Sequence, residues 1–324
     1  MSIEMDFPVY EDIIAARRFI SSYLPSTPLV GVHSLSQLLE FDYHIKCENL
    51  QPVGAFKVRG GVNLVGNLTD EERRRGVVAA STGNHGQSIA FAGRLFEVPV
   101  IIYAPQKKAN PYKIESMRSL GAEVRLFGED YDQAREEVER LTEAEGQRYV
   151  HSANEPLLVS GVGTMGMEII DDLPQVDVVI VPVGGGSGAC GIALAVKQHN
   201  PDTLIVGVQS ASAPACHEAW KVRDLDVDCS MTTEHEGLAT RVPFSMTMQL
   251  MWDLLDDFVL VTDEEINQSI RFLAQYAHQV AEGAGAAATA AAVKLKDQLK
   301  KKKVVGILSG GNLPLARFAT VLTE

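Results

Sequence analysis

The sequence predicts an α/β fold with two domains, each an open and mostly parallel sheet flanked by helices. Short β-branched runs alternate with segments of helical periodicity along the 324 residues, and this alternation is typical of parallel sheets covered by helices. Several of the runs are apolar throughout, which indicates strands that are buried on both faces. The units fall into two groups, so we expect two sheets.

The first group of units, residues 71–149, predicts the smaller domain. Its β-branched runs are followed by segments with the spacing of amphipathic helices, which is the pattern of strand–helix units in a parallel sheet. The strands are predicted at residues 77–80, 98–103 and 123–127, and the helices at residues 87–95 and 108–120.

The rest of the chain, residues 1–70 and 150–324, predicts a larger domain. Its apolar runs suit strands that lie between two layers of helices. These strands are predicted at residues 176–183, 204–209 and 303–308.

Three further segments of the larger domain predict helices. Thr262 is followed three positions later by Glu265, and this pair forms a capping box at a helix N-terminus. Residues 283–292 are rich in alanine and glycine and predict a closely packed, buried helix. The lysine run at residues 300–303 predicts the solvated end of a helix.

Composition bounds the class of the protein and its partners. Hydrophobic residues make up 46% and charged residues 22% of the chain, which permits a globular core. The net charge of −13 argues against a nucleic-acid partner, because phosphate binding needs a basic field. No apolar run approaches the about 20 residues of a membrane span, and residues 1–7 do not form a signal peptide. The four cysteines lack metal-ligand spacing. We expect a cytoplasmic protein without a membrane partner.

Lys57 is the first candidate for chemistry. It follows Phe56 and lies among small and apolar residues in the segment 48–61. Such surroundings disfavour the charged ammonium and lower the pKa of a lysine. A neutral amine is the form that makes a Schiff base with an aldehyde. The alternative is an exposed lysine at the start of an amphipathic helix.

A glycine-rich loop follows the predicted strand at residues 176–183 and precedes an apolar helix. Consecutive glycines let backbone N–H groups converge on an anion, and the helix adds its positive N-terminal end. We predict a phosphate site here, with a tight turn without a ligand as the alternative. The predicted phosphate-binding residues are Gly184, Gly185, Gly186, Ser187 and Gly188.

A second polar loop, residues 81–87, lies between a predicted strand and a predicted helix. Its hydroxyls, its amide and the N–H groups of a helix N-terminus suit a carboxylate, whereas the alternative is a capped turn without a ligand. Ser309 ends the last predicted strand with similar chemistry. Loops at the carboxyl ends of parallel strands are where such sheets bind ligands. The candidate residues of this loop are Ser81, Thr82, Asn84 and His85.

Residues 161–166 match the dinucleotide fingerprint Gly-x-Gly-x-x-Gly. They do not follow a clear strand, and no acidic partner for a ribose closes a strand at the expected distance of about 20 residues. A nucleotide-dependent oxidoreductase therefore stays a minor alternative.

Together, these segments resemble the fold-type-II pyridoxal-phosphate enzymes, in particular the threonine/serine dehydratases and serine racemase. The segment around Lys57 has the family form Glu-Asn-x-Gln-x-x-Gly-x-Phe-Lys-x-Arg-Gly, and the resemblance extends over residues 11–322. It implies the tryptophan synthase β-like fold, pyridoxal 5′-phosphate as the cofactor and a homo-oligomer, either a dimer or a tetramer. It also places the smaller domain on the substrate side.

The resemblance also assigns the site residues. Lys57 carries the cofactor as a Schiff base and later removes the substrate's Cα proton, and Phe56 packs beside the cofactor ring. Ser309 faces the pyridine nitrogen, while Glu282 and Gly237 border the cofactor. The phosphate lies in the loop of residues 184–188. The substrate carboxylate is held by Ser81, Thr82, Asn84 and His85, of which Asn84 also binds the phenolic oxygen.

The implied reaction is β-elimination from L-threonine, L-serine or a related 3-hydroxy amino acid, which yields a 2-oxo acid and ammonia. Serine racemase is an alternative, although Thr82 stands where racemases have a serine. A dehydratase for a larger substrate is another, including 3-hydroxyaspartate, 3-phenylserine and a hydroxyectoine breakdown product. Arg241 could meet a second carboxylate of such a substrate, but an exposed acid of the protein itself is the preferred interpretation. A non-catalytic binder of a phosphate ligand is the alternative from a different class.

The sequence departs from the family pattern at two points. Relatives bind a divalent cation through acidic residues after the strand at residues 204–208, but Gln209 and Ala215 occupy those positions here. We therefore predict no metal site. Biosynthetic threonine dehydratases carry an added C-terminal regulatory domain, and we expect none in this chain.

Overall fold

The computed structural model describes residues 7–106, 110–129 and 131–323. The segment considered for a signal peptide lies mostly outside them, as do residues 108 and 109 of a predicted helix. The strands of the described residues are β1 Leu29–Gly31, β2 Asp42–Cys47, β3 Val77–Ala80, β4 Val100–Ala104, β5 Glu123–Leu126, β6 Arg148–Tyr149, β7 Val178–Pro182, β8 Leu204–Ser210, β9 Asp257–Val261 and β10 Lys303–Leu308.

Helices surround these strands, and two short 3₁₀ turns lie at Glu48–Leu50 and Glu236–Leu238. The helices are α1 Tyr10–Ile20, α2 His33–Leu39, α3 Lys57–Gly66, α4 Asp70–Arg75, α5 Asn84–Phe96, α6 Pro111–Ser119, α7 Tyr131–Glu145, α8 Pro156–Asp172, α9 Ser187–His199, α10 Ala215–Val222, α11 Ser245–Leu254, α12 Asp263–Ala277, α13 Gly283–Lys294 and α14 Leu315–Thr323.

The strands form two sheets. One has six strands in the order β1-β2-β10-β7-β8-β9, and the other has four in the order β5-β4-β3-β6. Every pair is parallel except β1 with β2. The predicted α/β fold with two mostly parallel sheets is confirmed. The smaller sheet takes its strands from within residues 71–149, and the division into domains at those bounds stays a prediction.

Most predicted elements occur with small shifts of their ends. β10 has the predicted bounds, and α5 begins at Asn84, three positions before the predicted start. The prediction for the lysine run is wrong, because α13 ends at Lys294 and residues 300–302 precede β10 in a turn. The turns after α13 bury Leu295 and Leu299, which gives this segment a packing role that its charges do not indicate.

Helices α12 and α13 confirm two local predictions. The Thr262 hydroxyl accepts a hydrogen bond from the Glu265 N–H at 3.1 Å, and the Glu265 carboxylate accepts one from the Thr262 N–H at 2.6 Å. Residues 283–292 of α13 are all buried, within the core that also contains the inner faces of β7 and β8. Alanine and glycine permit this close approach because they add little side-chain volume.

The residues that match the dinucleotide fingerprint lie inside helix α8. A Cβ at Gly161 would lie 2.7 Å from the Arg59 carbonyl oxygen, and one at Gly163 would lie 2.9 Å from that of Gly191. These glycines therefore allow α8 to pack closely on α3 and α9. The alternative of a nucleotide-dependent oxidoreductase is wrong, because the match contains no strand-to-helix loop that could hold a pyrophosphate.

Within the described ranges, no helix is both long and apolar enough to cross a membrane.

Candidate active site

A cavity of about 370 Å³ lies where strands from both sheets end. Its wall includes Ala80, at the end of β3, and Pro182, at the end of β7. The cavity therefore occupies the position at which parallel sheets bind ligands. It brings together every predicted site residue, although their individual roles stay predictions: Phe56, Lys57, Ser81, Thr82, Asn84, His85, Gly184, Gly185, Gly186, Ser187, Gly188 and Ser309.

Lys57 is the first residue of α3, and its amine lies at the wall of the cavity. Nζ donates hydrogen bonds to the Ser187 hydroxyl at 2.7 Å and to the Ser152 carbonyl oxygen at 3.2 Å. It also lies 5.2 Å from the centre of the Phe56 ring. Burial lowers the pKa of Lys57 to about 8. The neutral amine is therefore accessible near neutral pH, as the sequence indicated.

The glycine-rich loop ends at the N-terminus of α9. Gly186 is the N-cap residue with φ +93°, a backbone conformation that favours glycine. Gly186 has no side chain that could cap this end, and the first N–H groups of a helix lack partners within the helix.

The packing around the loop leaves backbone, rather than side chains, at the cavity. A Cβ at Gly185 would lie 3.0 Å from that of Ala153, and one at Gly188 would lie 3.2 Å from the Phe56 ring. Exposed N–H groups and a positive helix end suit a phosphate group. The Lys57 amine lies beside Ser187 of the same loop. These residues therefore fit a ligand that carries both a phosphate and an aldehyde.

The polar loop after β3 is held by Ser81. The Ser81 hydroxyl accepts hydrogen bonds from the N–H groups of Gly83 at 3.1 Å and Gly86 at 2.8 Å. It thereby shapes the first turn of α5. The N–H groups at the start of this helix and the Thr82 hydroxyl lie at the cavity, and such donors suit a carboxylate.

His85 contributes to this loop differently from the sequence expectation. Its Nε2 lies 3.2 Å from the Val150 carbonyl oxygen, which can only accept, so Nε2 carries the hydrogen. Nδ1 is buried and has no partner in the described part of the chain. Burial, together with Lys57, lowers the pKa of His85 to about 3. The neutral ring thus has no hydrogen left to donate, and only the His85 backbone N–H could donate to a carboxylate. The predicted carboxylate contact stays a prediction.

Asn84 is held on both sides of its amide. Its side-chain oxygen accepts a hydrogen bond from Asn312 Nδ2 at 2.8 Å, and its Nδ2 donates to the Glu282 carboxylate. An amide nitrogen carries two hydrogens, so one remains for a ligand.

Ser309 is 5% exposed and follows β10 directly. Its carbonyl oxygen accepts a hydrogen bond from the Phe56 N–H at 3.0 Å, which joins the end of β10 to the segment that precedes Lys57. A serine hydroxyl can hydrogen-bond a pyridine nitrogen, but it cannot keep that nitrogen protonated as a carboxylate would.

Sequence reasoning missed Lys113 of α6. Its side chain lines the cavity, and Nζ lies 2.8 Å from Glu236 Oε2. Glu236 is exposed, so this ion pair joins a buried lysine to an acid at the rim of the cavity. One signal was present in the sequence: Lys113 is four residues before Met117, and both are buried on one face of the helix.

The positions at which relatives bind a cation contain a hydrogen-bonded amide here. Gln209 is buried, and its side-chain oxygen accepts a hydrogen bond from the His217 N–H at 3.1 Å. No group of three or more potential ligand residues that could hold a metal ion occurs in the ranges the structure describes. The absence of a metal site remains a prediction.

Comparison with known proteins identifies the family. Residues 20–310 match the family model described as pyridoxal-phosphate dependent enzyme. The chain belongs to the pyridoxal-phosphate dependent enzymes. The family resemblance and the cofactor that the motifs implied are both confirmed.

Two relatives are similar over most of their length. The chain is 40% identical over 314 residues to L-threonine ammonia-lyase of Thermotoga maritima, which covers 97% of this chain and 78% of the relative. It is 38% identical over 315 residues to the L-threonine dehydratase catabolic TdcB of Staphylococcus aureus, which covers 96% of this chain and 91% of the relative.

Two solved structures of this family share the fold. Maize serine racemase superimposes with a TM-score of 0.92 at 28% identity and covers 98% of both chains. Threonine deaminase isoform 2 of Solanum lycopersicum superimposes with a TM-score of 0.89 at 30% identity, covering 98% of this chain and 94% of the other. The predicted fold type is confirmed.

Proposed function

We propose that this enzyme is an ammonia-lyase that performs β-elimination on L-threonine, L-serine or a related small 3-hydroxy amino acid. The products are a 2-oxo acid and ammonia. The observation that carries the proposal is the Lys57 amine, whose pKa is lowered to about 8 and which lies at the phosphate-binding loop. The names of the relatives, L-threonine ammonia-lyase and L-threonine dehydratase, support it.

Lys57 serves as the base of the reaction. When bound, pyridoxal phosphate supplies an aldehyde for the amine and a ring that withdraws electrons from the substrate's Cα. When the substrate's amine takes the place of Lys57 on that aldehyde, the Lys57 amine would be free to take the Cα proton, and the low-polarity surroundings that depress its pKa favour its neutral form. It can return this proton to the hydroxyl on Cβ, which leaves as water. The released enamine tautomerises and is hydrolysed, so that water adds and ammonia leaves.

The two helix N-termini hold the two anionic ends of the reactants. The first turn of α9 binds the cofactor phosphate through the backbone of residues 184–188. The first turn of α5 binds the substrate carboxylate through its N–H groups and the hydroxyls of Ser81 and Thr82. With both ends held in this way, the substrate's Cα would lie next to Lys57.

Ser309 favours elimination over reactions that need a long-lived carbanion. A hydroxyl at the pyridine nitrogen leaves the ring less electron-withdrawing than a carboxylate partner would. Prompt loss of the β-substituent then relieves the negative charge on Cα.

Racemisation is a second candidate activity. Maize serine racemase supports it through its structural similarity, and the Thr82 hydroxyl is a candidate base on the opposite face of the substrate. Thr82 lines the cavity, but its methyl group crowds that face. Larger substrates are a further alternative, because Arg241 lies in the cavity wall.

We also propose a two-domain organisation with residues 71–149 as the substrate-side domain, assembly into a homodimer or homotetramer, and a cytoplasmic location. The acidic composition and the family resemblance support these assignments. Sedimentation of the purified protein would measure the number of subunits.

A substrate panel tests the proposed reaction. The holoenzyme is incubated with L-serine, D-serine, L-threonine, 3-hydroxyaspartate and 3-phenylserine, while 2-oxo acid release and the visible absorption band of the bound cofactor are followed. We expect 2-oxo acid from L-threonine or L-serine. Inversion of serine without 2-oxo acid would favour the racemase, and a cofactor band that no amino acid alters would contradict both activities.

A further inference from the structure

A charged cluster in the cavity wall joins the elements of the two sheets. Lys113 belongs to α6, which packs with the smaller sheet, whereas Glu236 and Glu282 come from segments that surround the larger one. Lys113 Nζ lies 2.8 Å from Glu236 Oε2 and 3.8 Å from Glu282 Oε2. Lys113 is 8% exposed and Glu282 is 7% exposed, so their interaction is little screened by water.

The carboxylate of Glu282 contacts the amide of Asn84. Asn84 Nδ2 donates to Glu282 Oε1, and Asn312 Nδ2 donates to the oxygen of the same amide at 2.8 Å. A Cβ at Gly310 would lie 2.6 Å from Glu282 Oε1, so only a glycine leaves room for the carboxylate there. An ionised carboxylate can only accept. It therefore requires that the Asn84 nitrogen, and not its oxygen, points towards it.

The charge of Glu282 depends on its neighbours. Burial raises the pKa of this carboxyl, the Lys113 ammonium opposes that rise, and the Glu236 carboxylate adds to it. Other titratable groups lie near, and Glu129, Tyr131 and Arg241 also line the cavity. Lys57 shares the cavity, and burial lowers the pKa of His235, whose ring packs against Gly283. Lys113 is thus the cation that faces Glu282 at short range.

We propose that Lys113 is a positioning residue: its ammonium favours the ionised form of Glu282, and the ionised Glu282 holds the Asn84 amide with one N–H directed at the cofactor. The inference rests on the proposed function, since it takes Asn84 as a cofactor ligand. When Glu282 is protonated, its hydroxyl can donate to the Asn84 oxygen. Only the Asn312 donor then favours the original orientation of the amide, so the amide is held less firmly and the cofactor contact is lost in part of the molecules.

Lys113→Met tests this chain of contacts. The visible cofactor band of the holoenzyme is titrated against pH for wild type and for Lys113→Met. The step that follows Glu282 should lie at higher pH in Lys113→Met than in wild type, because Glu282 then takes up a proton more readily. Below the step, cofactor binding should weaken by about tenfold or more, as expected for loss of a hydrogen bond to a charged group. Lys113→Arg should restore the wild-type behaviour.

Two further variants separate positioning from a general structural effect. Glu282→Gln cannot ionise, so its cofactor band and affinity should match the low-pH form of Lys113→Met at every pH. The Lys113→Met/Glu282→Gln double variant should lack the titration step that follows Glu282. Lys221→Met, which removes an exposed lysine, is the matched control and should behave as wild type. If Lys113→Met titrates as wild type does, or if the step persists in the double variant, the proposal is wrong.

A measurement without cofactor keeps the inference distinct from the proposed function. Folded Glu282 has a raised pKa, so its contribution to stability is present below the pKa of the unfolded chain and is lost as pH rises through the folded value. As pH rises, the unfolding free energy of Lys113→Met apoprotein should fall by more than that of wild type. The Lys113→Met/Glu282→Gln double variant should not show this larger fall. If the stability of Lys113→Met and that of wild type depend on pH in the same way, the coupling between Lys113 and Glu282 is refuted. If the stabilities differ as expected but the cofactor band of Lys113→Met is unaltered, the role of Asn84 is refuted instead.

Discussion

Two basic side chains lie in the first turn of helix α3, one partly buried and one fully buried, and their surroundings differ. Lys57 meets a hydroxyl and a carbonyl oxygen, so burial lowers its pKa to about 8. Arg59 is 1% exposed but lies 2.8 Å from Glu48 and 2.6 Å from Glu168. Burial opposes its charge as well, yet the two carboxylates outweigh burial and raise the pKa of Arg59.

The comparison shows that burial alone does not decide whether a basic group is charged. The network around Arg59 also contains Lys46, whose Nζ lies 2.6 Å from Glu168 Oε2, so two cations meet two carboxylates. Such a balanced network anchors α3 in the core. The Lys57 end of the same helix, without a carboxylate within ion-pair distance among the described residues, is left able to react.

Replacement of Lys57 should have the largest effect. Lys57→Ala removes both the aldehyde-binding amine and the base, so kcat should fall by at least about 10⁴-fold, with no cofactor trapped by borohydride. The apoprotein should unfold at a temperature close to that of wild type, because the amine makes no ion pair. Lys221→Ala serves as the control, and substantial residual turnover would remove Lys57 from its proposed role.

Replacement of Arg59 should act on stability instead. Arg59→Met leaves the carboxylates of Glu48 and Glu168 buried with too few cations, and loss of one partner of a buried pair costs about 3–5 kcal/mol. Urea unfolding of the apoprotein measures this loss. Arg74 pairs with Glu71 at the surface with its side chain 69% exposed, so Arg74→Met should cost less than about 1 kcal/mol. Equal losses of unfolding free energy in Arg59→Met and Arg74→Met would contradict the larger stabilising role of the buried arginine.

The pH dependence of cofactor capture tests the charge of Lys57 directly. A pKa of about 8 means that the neutral fraction of the amine grows as pH rises through that value. The rate at which apoprotein captures pyridoxal phosphate should therefore rise about tenfold between pH 7 and pH 9. A rate that still climbs steeply above pH 9 would indicate an ordinary lysine. Lys57→Ala apoprotein, mixed with pyridoxal phosphate and treated with borohydride in the same way, gives the background signal.

A smaller change probes one contact of the Arg59 network. The Thr164 hydroxyl lies 3.1 Å from Arg59 Nη1 and donates to the Gly161 carbonyl oxygen at 2.7 Å. Thr164→Val removes these hydrogen bonds but leaves both carboxylates in place, so the unfolding free energy should fall by about 1 kcal/mol. Activity should change little. A loss as large as that of Arg59→Met would mean that the hydroxyl, and not the charge balance, dominates.

Local patterns predicted much of the fold and of the site. The apolar run of β10 has its predicted bounds, and Thr262 with Glu265 forms the predicted cap, because strand burial and helix capping depend on neighbouring residues. The glycine-rich loop was predicted for the same reason. The orientation of its backbone N–H groups depends only on the strand before it and the helix after it. Family resemblance then supplied the cofactor.

The sequence by itself therefore determined the fold class and singled out Lys57 and the glycine-rich loop of residues 184–188, since each is encoded within a short segment. The tertiary structure alone decided that Lys113 meets Glu236, 123 positions away, and that Glu168, 109 positions from Arg59, keeps that residue charged. It also placed residues 161–166 inside a helix and committed His85 Nε2 to a carbonyl oxygen. Charge states and orientations depend on groups that only folding brings together, because electrostatic and hydrogen-bond energies depend on distance in space.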